Sequence, residues 1–182
     1  MSKLFLAVGA MLSVFLLPAS SGADSPDLFS GKRITSWGDW RLEYRDAMVM
    51  ADQSAVIIGD VCTLVTGSKD TWLSFGFVSG FVNVSIYASV WKNPRTSRTV
   101  LLRSNRAKII LADAVFDGAF IQTSLPPNEI PERSMRLLAD SARNSPIELM
   151  RMPGEKLMVT FSGRGLAALL DRAIECSRKT RN

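Results

Sequence analysis

The stretch Lys156 to Cys176, K-L-M-V-T-F-S-G-R-G-L-A-A-L-L-D-R-A-I-E-C, runs through a strand, a turn and a helix without a gap and ends on one of only two cysteines in the chain. Leu157, Val159 and Phe161 alternate with Met158 and Thr160, the period of a half-buried strand, and Gly163 and Gly165 permit a sharp change of direction. From Leu166 the period changes. Leu166, Leu169, Leu170, Ala173 and Ser177 share one side of a helix at 100° per residue, with Ile174 and Cys176 near the margins, so this helix has one face to bury. The rest of the chain reads as the sheet that receives it.

Working back to the amino end, Lys3 precedes an apolar run from Leu4 to Leu17, Pro18 breaks it, and Ser21-Gly22-Ala23 gives the small-residue pattern of a cleavage site before Asp24. This predicts a secretory signal over Met1–Ala23, because fourteen helical residues rise only about 21 Å against roughly 30 Å of hydrocarbon. After cleavage no stable membrane anchor is expected, and the predicted location is the periplasm, or beyond it. The remaining chain suits one domain with a sizeable core. Residues 24–36, mixed in Ser, Pro, Gly and charge, are expected to be a flexible leader, and residues 37–182 the folded body.

Without the signal the chain carries 21 basic and 17 acidic residues, since Lys3 is the one charge lost from a total of 22 and 17. The basic run Arg172, Arg178, Lys179 and Arg181 complements the negative end of the last helix. No aromatics interleave with it, and an exported protein rarely meets nucleic acid, so nucleic-acid binding is set aside. In an oxidising compartment two cysteines pair by default, and a Cys62–Cys176 disulfide would tie the middle of the sheet to the last helix.

Between these ends the spacing predicts strands. Trp40, Leu42 and Tyr44 alternate with Arg41, Glu43 and Arg45; Ala47–Met50 and Ala55–Val65 follow. Trp72–Val78 and Phe81–Trp91 make a hairpin around Ser79-Gly80, with Val82, Val84, Ile86, Ala88 and Val90 on one side and Asn83, Ser85, Tyr87, Ser89 and Trp91 on the other. Asn93–Ser97 reads as a polar loop, Thr99–Leu102, Lys108–Ala114 and Phe120–Thr123 as strands, and Pro126-Pro127 as a break. A helix opens at Pro131-Glu132, carries Met135, Leu138, Ala139 and Ala142 as its apolar stripe, and ends at Asn144 and Pro146. Ile147–Met152 and Leu157–Phe161 form a last hairpin. The expected fold is α+β: a mostly antiparallel sheet or sandwich of about eight strands with two helices, one of them C-terminal.

The chain has no histidine, which removes Ser-His-Asp and Cys-His catalysis and histidine-ligated zinc. Ser89-Val-Trp-Lys92 matches the Ser-x-x-Lys string of serine acylases, but on a strand positions three apart point to opposite sides. Asp113 with Asp117, and Glu129 with Glu132, lie in or beside turns and read as structural; Gly163-Arg-Gly165 is too short for a phosphate loop. Met48-Val-Met50 and Met150-Arg-Met152 are expected to fill core space, and only a meeting of both pairs would make a soft-metal site. No enzyme, cofactor or metal is expected. Trp91, on the polar side of its strand, and Tyr87 beside it are the candidate partner-binding residues.

The signal peptide, the opening Trp37-x-x-Trp40-Arg41, the central cysteine and the late strand running into Ser162-Gly-Arg-Gly-Leu-Ala-Ala-Leu169 resemble the small exported proteins of the invasion-associated locus B type. The ending is also similar to short periplasmic proteins that close on a glycine turn, a helix and a cysteine, some of them secretion accessories. Either resemblance implies a β-rich periplasmic or surface protein without catalytic residues, serving an envelope, secretion or host-invasion partner. The rival reading is a periplasmic inhibitor or immunity-type protein that plugs a hydrolase with the Asn93–Ser97 loop.

Overall fold

A computed structural model describes residues 32–51, 54–78, 81–125 and 131–179. The predicted signal over Met1–Ala23, residues 24–31 of the leader, the Ser79-Gly80 turn, the Pro126-Pro127 break and Glu129 lie outside the described residues. The described strands are β1 (Lys32–Trp37), β2 (Trp40–Ala51), β3 (Ser54–Gly67), β4 (Thr71–Val78), β5 (Phe81–Ala88), β6 (Asn93–Ser104), β7 (Ala107–Gly118), β8 (Phe120–Leu125), β9 (Ile147–Arg151) and β10 (Lys156–Phe161). Helix α1 (Pro131–Ser141) lies between β8 and β9, and α2 (Leu166–Lys179) follows β10.

All ten strands form one antiparallel sheet in the order β1-β2-β3-β4-β5-β8-β7-β6-β9-β10. This corrects the expected count of about eight, and it is one continuous sheet rather than a sandwich. Two stretches differ from the expectation, the first adding a strand and the second lengthening one. Lys32–Ser36, read as leader, is an edge strand bonded to β2, and Asn93–Ser97, read as a loop, is the first part of β6, with Asn93 opposite Gly118 and Thr96 opposite Phe116. Both are mostly polar in sequence, and Asn93–Ser97 is largely exposed, so backbone pairing holds them where no apolar alternation announces a strand. Asn93–Ser97, expected as the plugging loop of the inhibitor reading, is therefore strand and not loop.

Leu42, Leu64, Phe75 and Val84 are successive cross-strand partners, and all four are buried in the main core with the apolar stripes of both helices. Helix α2 buries Leu166, Leu169, Leu170, Ala173, Ile174 and Cys176 and packs on β3 and its neighbours, while α1 brings Met135, Leu138, Ala139 and Ala142 and packs on β7 and β6. Arg136 pairs with Asp171 and Glu132 with Arg178, so the helices lie side by side and antiparallel. The sheet curls around this helical layer into half a barrel.

The two ends of the sheet meet. The turn between β1 and β2 touches the loop between β10 and α2: Asp39 N donates to Arg164 O at 3.0 Å, Ser162 Oγ to Asp39 Oδ2 at 2.6 Å, and Trp40 Nε1 to Ser162 O at 2.8 Å. The chains pass so closely that a Cβ on Gly165, whose φ is +105°, would lie 1.9 Å from Trp37 O. Glycine is required there on both counts. Above this clasp, Cys62 on β3 and Cys176 on α2 form the predicted disulfide, with Cα atoms 6.0 Å apart and 114 residues of sequence between them.

Candidate interaction surface

Neither helix packs on the second face of the sheet, and this face carries two distinct clusters. At one end Trp72, Tyr87 and Phe120 are cross-strand neighbours on β4, β5 and β8. Trp72 stacks on Tyr87 with centroids 5.7 Å apart, and Tyr87 meets Phe120 at 5.0 Å. Tyr87 is buried to 6% exposure. Trp91 does not join it. Strand β5 ends at Ala88, Ser89 and Val90 form a turn, and Trp91, half-buried, packs against the main core on the helix side. The structure therefore separates the two candidate residues, because the alternation counted from Tyr87 to Trp91 is interrupted by the turn. The same turn places Ser89 and Lys92 off the strand on which the Ser-x-x-Lys string was set.

Beside the aromatic cluster the alternation predicted for β5 holds: Val82, Val84 and Ile86 enter the main core, and Asn83, Ser85 and Tyr87 point away from it. Asn83 and Ser85 are each 2% exposed, and their side chains make no hydrogen bond. Further along, Arg41 pairs with Glu43 on β2.

The second cluster crosses the other half of the sheet. Ile110, Leu101, Met150 and Leu157 are successive cross-strand partners on β7, β6, β9 and β10. Leu101 and Met150 are buried, while Ile110 and Leu157 at the two ends stay 64% and 51% exposed. A charged row borders them. Lys108, Arg103 and Glu148 occupy the neighbouring register positions, and Glu155, from the turn between β9 and β10, accepts from Arg103 Nη1 at 3.0 Å and Lys108 Nζ at 2.9 Å. The hydrogen bond from Lys108, more than any other influence, holds the Glu155 carboxyl below its ordinary value, and the bond to Glu148 raises Arg103 above its own. An apolar strip with a charged rim is the composition of a protein contact surface.

This strip was missed from the sequence, although a signal was there. Val100-Leu-Leu102, Ile109-Ile-Leu111 and Leu149-Met150 are uninterrupted apolar runs on strands, so alternate members have to face away from the core. Met150 is one of them: it is buried, as its Met-x-Met spacing suggested, but within this strip and not in the cluster beneath the helices, and Met152 is half-buried beside β6. Met48 and Met50 are on β2 opposite Ile57 and Ala55, with their side chains outside the described residues. Of the carboxylates, Asp113 and Asp117 are exposed on β7, and Glu132 pairs with Arg178. No group of three or more His, Cys, Asp or Glu among the described residues is arranged to hold a metal ion.

The fold and its surfaces define a disulfide-closed, curled antiparallel sheet with a two-helix filling and an apolar strip on its helix-free face. No family model matches the chain, no curated protein matches it, and no solved structure matches it. The disulfide is consistent with an oxidising, exported compartment, and no helix among the described residues is long and apolar enough to cross a membrane.

Proposed function

We propose that this is an exported, non-enzymatic accessory protein of the bacterial envelope, released into the periplasm by removal of residues 1–23, which works by holding a protein partner against its sheet. The observation that carries this reading is the strip Ile110-Leu101-Met150-Leu157, with its exposed ends and charged rim. The disulfide supports the compartment, and the absence of histidine from the chain supports a role in binding rather than catalysis. The partner belongs to the envelope, the secretion apparatus or the host, and the strip selects it by an apolar contact that the Arg103, Lys108, Glu148 and Glu155 rim keeps in register. The test is a photo-crosslinking residue placed at Ile110 or at Leu157 in living cells. Both sites should trap the same discrete partner, and a crosslinker at Val90, exposed in the turn after β5, should trap none. If all three positions give the same products, the strip is not a binding surface.

A further inference from the structure

The part of the helix-free face formed by β3, β4 and β5 is buried, although neither helix lies on it. Thr63, Gly76 and Asn83 are successive cross-strand partners, and so are Val65, Ser74 and Ser85, each two residues away along its strand, so all six stand on one face. Leu64, Phe75 and Val84 between them enter the helical core on the other side. Yet Gly76 is buried, and none of the other five is more than 2% exposed. Side chains as short as serine on the open face of a sheet stay wet unless something lies over them. Among the described residues, the main contacts of these three strands are with their sheet neighbours and, on the opposite side, with α2.

The same trough holds polar atoms that lack a partner. Asn83 Nδ2 and Oδ1 and Ser85 Oγ are buried with no hydrogen bond. A carboxamide offers one donating and one accepting end, the complement of the C=O and N–H that an extended peptide presents. Gly76, directly opposite Asn83, has no side chain to fill the space above it.

Where the chain enters the sheet points to the occupant. Arg33 on β1 opens the row that runs through Glu43, Thr63 and Gly76 to Asn83, so Lys32, the first described residue, stands at the end of the trough. Before it come Asp24-Ser-Pro-Asp-Leu-Phe-Ser-Gly31, with Gly31 free to turn off the strand. From β1 to β5 is four strand spacings, about 19 Å, and the eight residues of the leader reach about 26 Å when extended. Phe29 and Leu28, three and four residues before Lys32, fall about 10 to 14 Å along that path, the distance of β3 and β4.

We propose that the leader, residues 24–31, lies extended across β2 to β5 on the helix-free face, with Leu28 and Phe29 over Thr63 and Gly76 and its backbone hydrogen-bonded to Asn83 and Ser85. This does not rest on the partner-binding reading, because the strip from Ile110 to Leu157 crosses the other half of the sheet. The leader undocks with the sheet intact, so its bonds are registered by its own amides and not by global unfolding.

The test uses the oxidised chain from residue 24 to 182. A photo-crosslinking residue in place of Phe29 should join peptides from β3, β4 or β5, and in a mixture of isotope-labelled and unlabelled copies each product should lie within one copy. In hydrogen exchange the amides of residues 28 to 30 should be slowed at least about tenfold against an unstructured peptide. Asn83→Val should reduce that protection about fivefold, the effect of one lost hydrogen bond, and Leu28→Ser with Phe29→Ser should abolish it, while the amides of β3 to β5 stay as protected as in the parent. The proposal is overturned if residues 28 to 30 exchange as a free peptide does, if Asn83→Val leaves their protection unchanged, or if the crosslinks fall outside β3 to β5. Products that join labelled to unlabelled copies would overturn it in favour of a second molecule in the trough. Each of these failures leaves the crosslinks expected from Ile110 and Leu157 untouched.

Discussion

The indole Nε1 of Trp40 donates a hydrogen bond to the carbonyl oxygen of Ser162 at 2.8 Å, across 122 positions of the chain. The same ring stacks on Phe75, 5.6 Å away and 7° from parallel, so one side chain joins the start of the sheet to its middle and to the loop before the last helix. Trp40→Phe keeps most of the stacking surface and strands the Ser162 carbonyl. A loss of about 2 kcal/mol in denaturant unfolding is expected, and an unchanged midpoint would show that the bond contributes nothing.

Removing the disulfide should cost more. Closing a loop of 114 residues is worth about 4 to 5 kcal/mol on the chain-entropy account. Cys62→Ser with Cys176→Ser, or the parent protein under reductant, should therefore unfold at clearly lower urea. Coincident curves for the oxidised and reduced protein would contradict this.

Gly165 tolerates no side chain. Its φ of +105° is strained for any L-residue, and an added methyl would overlap the Trp37 carbonyl and approach Gly38. Gly165→Ala should destabilise by roughly 2 to 4 kcal/mol, while Gly154→Ala, also at positive φ but with open space around it, should cost distinctly less. Equal losses from the two substitutions would mean that the close passage at the clasp is not the cause.

Asn83 is a position where the native residue is not the most stabilising one. Its amide is buried without a partner, between Gly76 and Ser124 on the neighbouring strands. Asn83→Val replaces an unsatisfied group with a good strand former and should leave stability unchanged or raise it by about 1 kcal/mol. A marked loss would show that the amide is bonded in solution.

The charged rim predicts an acid response. The Glu155 carboxyl is held below its ordinary 4.5, first by the hydrogen bond from Lys108 and then by the charges of Lys108 and Arg103. A folded-state value below the unfolded one means that ionised Glu155 stabilises the fold above pH 4.5, and that this contribution fades as the pH falls through the lowered value. Glu155→Gln should therefore melt slightly lower than the parent at neutral pH, with the gap closing in acid. The gap is small because the group is well exposed. A difference that widens on acidification has the wrong sign for this explanation.

What could be read from the sequence followed the strength of its periodic signals. Helix α2 and its buried stripe, the hairpin of β4 and β5 with its two faces as far as Ala88, and the pairing of Cys62 with Cys176 all rest on alternation, helical spacing or an even cysteine count, and the structure carries each of them; Val90, expected on the core side, stands exposed in the turn beyond. Polar strands gave no such signal. β1 and the first half of β6 are held by backbone hydrogen bonds, to which side-chain pattern is blind. The candidate pair Tyr87 and Trp91 comes apart for a related reason: the alternation that joins them is counted through a turn, while the strip from Ile110 to Leu157 draws one residue from each of four strands. Its neighbours are set by register, which only the assembled sheet defines.

The strand order carries a consequence for how the chain comes together as it emerges from its amino end. β1 to β5 can pair in sequence, but the open edge of β5 must wait for β8, which arrives only after β6 and β7 have been made. The clasp and the disulfide wait longer still, for residues 162 to 176. Until then half a sheet stands with a bare, hydrogen-bond-hungry border, the kind of margin that recruits strands from other molecules. A chain cut short anywhere before the last helix is left with that hazard, so premature termination should yield aggregates rather than a smaller working protein.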